Sequence, residues 1–258
     1  MLAEWGWWTE AACGFVAALS RAGTMVLFIP LPGMRSGPDA ARIVMAAALA
    51  LCLAPVWPAA PEGGWTAGGM LVAVLTDAAY GTGCGLAVAF LLEGLRVAGQ
   101  LIGLPAGFSF ASTFDPNSNA DSPALLVLMQ LLAGLLFFAT GMHLIVVRLV
   151  AHSFTSIPWT AWPGSMGAAA HILSLGASML SIGLRFALPV VAMLMFADLA
   201  MALMSRMQAQ LQLLSLSFPV KILAALLLLA ATAPLAPVLF ERTAQQTAAA
   251  IQAFTVHR

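Results

Sequence analysis

Charge is what this chain has least of. Only 8% of its 258 residues are Asp, Glu, Lys or Arg, ten of each sign, so the formal net charge is zero. Soluble domains carry roughly 25% charged residues, and a chain with about a third of that cannot cover itself with a water-compatible surface. Lysine is nearly absent, Lys221 being the single one. So sparse and balanced a charge gives no electrostatic basis for binding nucleic acid. The three cysteines, Cys13, Cys52 and Cys84, are odd in number and all lie in apolar stretches. That argues against a disulfide framework and a metal site, and predicts small buried core residues. The sequence has no HExxH, no CxxC, no nucleotide-binding glycine loop, and no motif joining any of its four histidines to an acid. It therefore offers no basis for an enzyme or a cofactor. The N-terminal MLAEWGWWTEAACG lacks the basic flank of a cleavable signal peptide and carries Glu4 and Glu10 instead. The mature protein is expected to begin at or near Met1.

What is present is apolar: 62% hydrophobic residues and a mean hydropathy of +0.98. This is the composition of an integral membrane protein. In hydrocarbon every backbone N–H and C=O needs an internal partner, and the runs are continuously apolar rather than alternating, so they predict helices and not a barrel. The expected fold is all-α, with about six long and partly broken membrane helices. They run from about Thr9 to Ile29, Ala40 to Val56, Gly68 to Gly107, Pro123 to Val150, Ala168 to Met204, and Pro219 to the C-terminus, with no soluble domain. Trp5, Trp7 and Trp8 suit an interfacial aromatic belt.

Two lengths are awkward. A helix from Gly68 to Gly107 would extend to about 60 Å, twice the hydrocarbon thickness, which predicts a break near EGLR at 93–96 or at Pro105. The run from Ala168 to Met204 is also overlong. The positive-inside rule is inconsistent: Arg35 and Arg42 mark the first loop as cytoplasmic, as Arg206 and Lys221 mark the last turn. Simple alternation from Arg148 would put that last turn outside.

Several groups stand out. Gly99, Gly103 and Gly107 recur every fourth residue, as do Gly81 and Gly85, giving a smooth ridge that lets another backbone approach, within the chain, in another subunit or beside a lumen. Glu93 and Arg96, three apart on a helix, are expected to neutralise each other. Asp77, Arg148, Arg185 and Asp198 have no local partner of opposite sign, so they must pair across helices, face water, meet another subunit or serve an ion relay. In QAQLQLLSLSFPVK, residues 208–221, Gln208, Gln210 and Gln212 alternate with apolar residues, which predicts a partly extended turn, either a plain hairpin loop or a docking surface. FSFASTFDPNSNADSPALL, residues 108–126, sets three phenylalanines before a polar tip. Asp115 before Pro116 favours a turn, and Asn117 to Ser122 can bond to their own backbone.

The run AGQLIGLPAGFSFASTFDP, residues 98–116, resembles the central signature of the FliR family, membrane components of the bacterial type III export gate. PGMRSGPDAAR (32–42, with Gly33, Arg35, Pro38 and Arg42 in register), HLIVVRLVAHSF (143–154) and QLQLLSLSFPVK (210–221) are similar to further blocks of that family, in the same order. The chain departs from the family's pattern at Asn117, Gln212, Ser217 and Pro105. The flagellar branch looks closer than the virulence branch. The resemblance implies a non-enzymatic gate subunit in the bacterial inner membrane, in the basal body of a flagellum or injectisome. Its partners would be P-type and Q-type subunits (FliP-like, FliQ-like), FlhB-like and FlhA-like components, unfolded protein substrates and membrane lipid. Residues 1–160 would form a P-subunit-like portion and 161–258 a Q-subunit-like hairpin. Phe108, Phe110, Phe114, Asp115, Pro116 and Asn117 would plug the pore from a loop at 108–123. Gly99, Gly103, Gly107, Glu93 and Arg96 would serve helix packing, and Gln210, Gln212, Phe218, Pro219 and Lys221 partner docking. A competing reading, drawn from the residues alone, is a small-molecule or ion permease subunit using Asp77 and Asp198.

Overall fold

A computed structural model describes residues 4–29, 39–57, 65–108, 124–156, 166–207 and 213–255. Among these residues there are eight α-helices, one short 3-10 turn and no strand, which is the all-α architecture expected. The helices are α1 (Glu4–Phe28), α2 (Asp39–Cys52), α3 (Ala67–Ala106), α4 (Ala124–Ala139), α5 (Met142–Ser156), α6 (Met166–Met207), α7 (Leu213–Thr232) and α8 (Leu235–Thr255). Three of the helical stretches, Trp8–Phe28, Ala67–Ala106 and Ile172–Met204, are long and apolar enough to cross a membrane, and α4 with α5 and α7 with α8 form two broken pairs that qualify together. The chain is embedded in a membrane.

Local chemistry explains the ends. The side chain of Thr66 accepts a bond from the N–H of Gly69 and caps the start of α3. After α2 the turn Ala54–Val56 has Pro55 at its centre, and the Trp57 indole donates to the carbonyl of Ala50 at 2.8 Å. The Trp57 ring lies 5.7 Å from that of Phe15, which pins this turn to α1.

Four expectations are corrected. First, α3 does not break near Glu93: it runs unbroken for 40 residues. Pro105 sits in the last turn, where the single backbone bond it removes is followed at once by the helix end. Second, the helix expected from Pro123 to Val150 is two, because Gly141 adopts a left-handed φ of +69° that a continuing helix cannot hold. Third, the last helix is also two, separated at Ala233–Pro234, and its first half begins at Leu213 rather than at Pro219. The sequence from 213 to 221, expected as a partly extended turn, is therefore helical, with Pro219 inside α7. Fourth, Cys84 is buried but Cys52 is exposed, so the thiols are not uniformly core residues.

The chain divides into two compact units. One holds residues 1–90, 141–175 and 244–258, and the other 91–140 and 176–243. In the first, α1 packs Ala17, Ala18, Ala22 and Met25 inward, α3 packs Ala73, Tyr80, Cys84 and Ala87, and α5 packs Val146 and Val150. The α1–α3 approach is close enough that side chains are excluded. A methyl group on Gly85 would lie 2.7 Å from the carbonyl oxygen of Met25, and one on Gly81 would collide with the carbonyl of Arg21. In the second unit α3 contributes Leu91, Leu95, Ala98 and Ile102, against Leu125 and Met129 of α4 and Ile182 and Phe186 of α6.

Gly83, on the same helix, has open space around its Cβ position. Gly83→Ala is therefore expected to leave stability unchanged or raise it slightly. Gly81→Ala should destabilise by at least the 1–3 kcal/mol typical of overpacking, since the obstacle is backbone. Unfolding of the detergent-extracted protein, followed by tryptophan fluorescence, separates the two.

Candidate functional site

The first unit has a polar cluster at its centre. Arg21 on α1 is 2% exposed and Asp77 on α3 is 1% exposed, and they form an ion pair. The Arg21 Nε donates to Asp77 Oδ1 at 3.0 Å, and Nη2 donates to the same oxygen. Nη1 donates to the hydroxyl of Ser153 on α5 at 2.6 Å, and that hydroxyl in turn donates to the carbonyl of Val150. The guanidinium also meets two aromatic rings, its carbon 5.0 Å from the Tyr80 centroid and 4.2 Å from that of Phe154. Three helices are thereby tied to one cation. Gly81 makes this possible, because it lets the α1 backbone come close enough for Arg21 to reach Asp77 one turn away on α3.

A charge at the centre of a membrane helix costs on the order of 3 kcal/mol on insertion scales, so the pair is a condition for inserting either helix without a penalty. The second oxygen of Asp77, Oδ2, has no partner among the described residues, which leaves Arg21 as the principal compensation for its burial. Sequence reasoning flagged Asp77 and its need for a distant partner but passed over Arg21. The signal was present: Arg21 is the only basic residue in the first apolar run, and Asp77 the only acid between Gly68 and Phe90.

The second unit holds the carboxyl half of α3. Glu93 and Arg96 form the expected pair, Nη1 to Oε1 at 2.5 Å, both partly exposed. Gly94 faces α6, where a methyl group would lie 3.4 Å from the carbonyl of Met179, and one on Gly183 would lie 2.8 Å from Val97. The glycine ridge then divides its work. Gly99 packs on Met129, Gly103 borders Leu125, and Gly107 ends the helix with φ +84°. There the Gly107 N–H bonds to the carbonyl of Leu104 and the Phe108 N–H to that of Gly103, a Schellman termination that sets the direction in which Phe108 leaves. Phe108 is half-buried. Phe110, Phe114, Asp115, Pro116 and Asn117 lie outside the described residues, as do Gln210 and Gln212 and the side chain of Phe218.

Asp198 on α6 is paired with Lys221 on α7, so the second isolated acid also has a cation across helices. Pro219 lies nearly two turns into α7, and both it and Lys221 belong to a helix. Arg148 and Arg185 are exposed on the isolated chain. Among the described residues no cluster of His, Cys, Asp and Glu could hold a metal ion.

The family of bacterial export proteins, family 1, has a sequence model that matches residues 12–247. The flagellar biosynthetic protein FliR of Escherichia coli K12 is 30% identical over 217 residues, covering 84% of this chain and 83% of that protein. The chain belongs to the FliR family. The Caulobacter vibrioides FliR is 30% identical over 223 residues, 84% of this chain and 87% of its own length. The Bacillus subtilis FliR is 28% identical over 218 residues, covering 83% and 84%. All three relatives are flagellar biosynthetic proteins.

Breaking a buried ion pair from one side costs on the order of 3–5 kcal/mol, whereas replacing both partners with apolar residues is often neutral. Arg21→Met or Asp77→Leu alone is expected to abolish accumulation of folded protein in the membrane, and the double variant to restore much of it. Membrane-fraction yield and protease resistance measure this; equal losses in single and double variants would count against the pair. Gly107→Ala should cost about 1–2 kcal/mol, the price of a left-handed residue with a Cβ, read as a lowered melting temperature.

Proposed function

We propose that this chain is a membrane subunit of the bacterial flagellar type III export gate, helping to form and close the channel through which unfolded proteins are secreted. The observation that carries it is the family match along almost the whole chain, residues 12–247, in a protein built of apolar helices. Its setting would be the inner membrane, within the flagellar basal body. Its partners would be FliP-like and FliQ-like subunits, with FlhB-like and FlhA-like components nearby. The portion 1–160 would correspond to a P-type fold and 161–258 to a Q-type hairpin.

The segment after Gly107 is the proposed plug. Support comes from the sequence FSFASTFDP and from the way α3 ends: a Schellman turn at Gly107 sets how the chain leaves that helix. Phe108, Phe110 and Phe114 would exclude water from a narrow lumen, while the polar tip from Asp115 stays solvated. The permease reading has less support, because both of its acids sit in ion pairs, Asp77 with Arg21 and Asp198 with Lys221. A paired carboxylate must first lose its cation before it can carry a proton or ion.

The chain, co-expressed with its neighbouring membrane genes and extracted in detergent, should have the native mass of a large complex containing several copies of two smaller subunits. A monomer or homodimer with nothing co-purifying would favour the permease. Phe110→Ala combined with Phe114→Ala should raise the ion permeability of cells carrying the assembled gate. Unchanged permeability and export would remove the plug assignment.

A further inference from the structure

Of the three stretches able to cross a membrane alone, Ile172–Met204 on α6 is the one the chain covers least: 22% of its most apolar part is buried, against 39% and 56% for the others. Its inward face is fixed by the core of the second unit, where Ile182, Phe186, Ala187, Val190 and Leu194 are buried and Gly183 meets Val97. By the helical repeat, the opposite face carries Ala177, Ser181, Arg185 and Leu188, all exposed.

Arg185 is a cation without a counter-charge. It makes no ion pair or hydrogen bond with any described residue, and Asp77, Glu93 and Asp198 are each held by another cation. Its place in the run leaves it little access to the headgroups. A membrane helix needs about 20 apolar residues, and every stretch of that length within Ile172–Met204 contains position 185. A charge left alone at the centre of such a helix costs on the order of 3 kcal/mol. The backbone adds a second polar group in the same turn. Pro189 has no N–H to give the carbonyl of Arg185, its usual partner four residues back. One turn of α6 thus presents a guanidinium and a carbonyl stripped of its usual donor.

The rest of the face selects what meets them. Toward the amino end it is small, with Ala177, Ser178 and Ser181, so another helix backbone can come close. Toward the carboxyl end it is apolar and exposed, with Leu188, Met195 and Leu199. A water-filled passage does not suit those apolar side chains, and lipid tails do not suit the arginine. An apolar helix with one carboxylate suits both, because the guanidinium fork matches two carboxylate oxygens.

We propose that this face of α6 docks a membrane-spanning helix of another protein subunit, with Arg185 paired to an Asp or Glu in the apolar run of that helix. Ala177 and Ser181 admit its backbone. This contact deepens, and rests on, the reading of the chain as one subunit of a larger membrane assembly.

The test uses the full chain, co-expressed with its neighbouring membrane genes, extracted in detergent and examined by native mass spectrometry. Arg185→Met should yield at least about tenfold less complex than the unmodified chain, since removing one side of a desolvated pair strands the other. Expressed by itself, the same variant should melt at an unchanged or higher temperature, because the side chain is exposed on the isolated chain. Arg185→Lys should keep part of the complex, and a membrane-permeable carbodiimide should join its new amine to a carboxylate of the partner helix, located by peptide mass. In the assembled complex, Ser181→Cys should resist a membrane-impermeant thiol reagent. The last two variants keep a cation at position 185 and decide the matter even if Arg185→Met does not fold. A complex that forms in full with Arg185→Met overturns the contact and leaves the assembly reading standing, whereas an unmodified chain that stays monomeric overturns both. Labelling of Ser181→Cys in the complex overturns the contact as well, because the face would then line water. So does a carbodiimide adduct to lipid or to another copy of this chain.

Discussion

Helices surrounded by lipid gain almost nothing by hiding leucine from leucine, since the hydrocarbon is as apolar as the side chain. What holds them is close backbone approach and the few polar contacts that approach allows. In this chain α3 carries most of both. Gly81 and Gly85 admit the α1 backbone, Gly94 meets Gly183 of α6, and Gly99 receives Met129 of α4. Because the first of these crossings brings Arg21 within reach of Asp77, the glycine pair and the ion pair act as one device. A larger residue at 81 would push away the cation as well as the helix.

Charge is handled by pairing. Arg21 with Asp77 joins α1 to α3, Glu93 with Arg96 stays within α3, and Asp198 with Lys221 joins α6 to α7. The three are not equivalent energetically. The first is fully enclosed, so its worth is the penalty avoided when neither charge is left alone. The other two are partly exposed, and their attraction is correspondingly weaker. Among the described residues, four of these six paired charges fix one helix against another.

The isolated chain exposes large apolar side chains on α6 and α7, among them Leu184, Leu188, Met195, Phe196, Leu199, Leu223 and Leu227. Water does not tolerate a surface of that kind, so it faces lipid or other subunits. This fits membership of a family whose relatives take part in flagellar biosynthesis. It also suits a proposed role in which the chain works inside a larger assembly.

Composition settled that the protein lies in a membrane, and the continuous rather than alternating apolar runs settled that it is helical, because lipid leaves the backbone only helices or a closed barrel. The three-residue spacing of Glu93 and Arg96 predicted their contact, and the blocks at 32–42, 98–116, 143–154 and 210–221 pointed to the family. Helix interruptions were less legible. The prolines at 105, 189 and 219 all lie within helices, while the break after α4 falls at Gly141, a residue that signals nothing until its φ turns positive. Uniformly apolar helices also hide which face turns inward, since leucine serves lipid and core equally well. Only the tertiary structure decided that Gly81 lies against Arg21 and that Asp77 finds its cation fifty-six residues away. A pairing across helices depends on how backbones pack in three dimensions, and no local spacing encodes that.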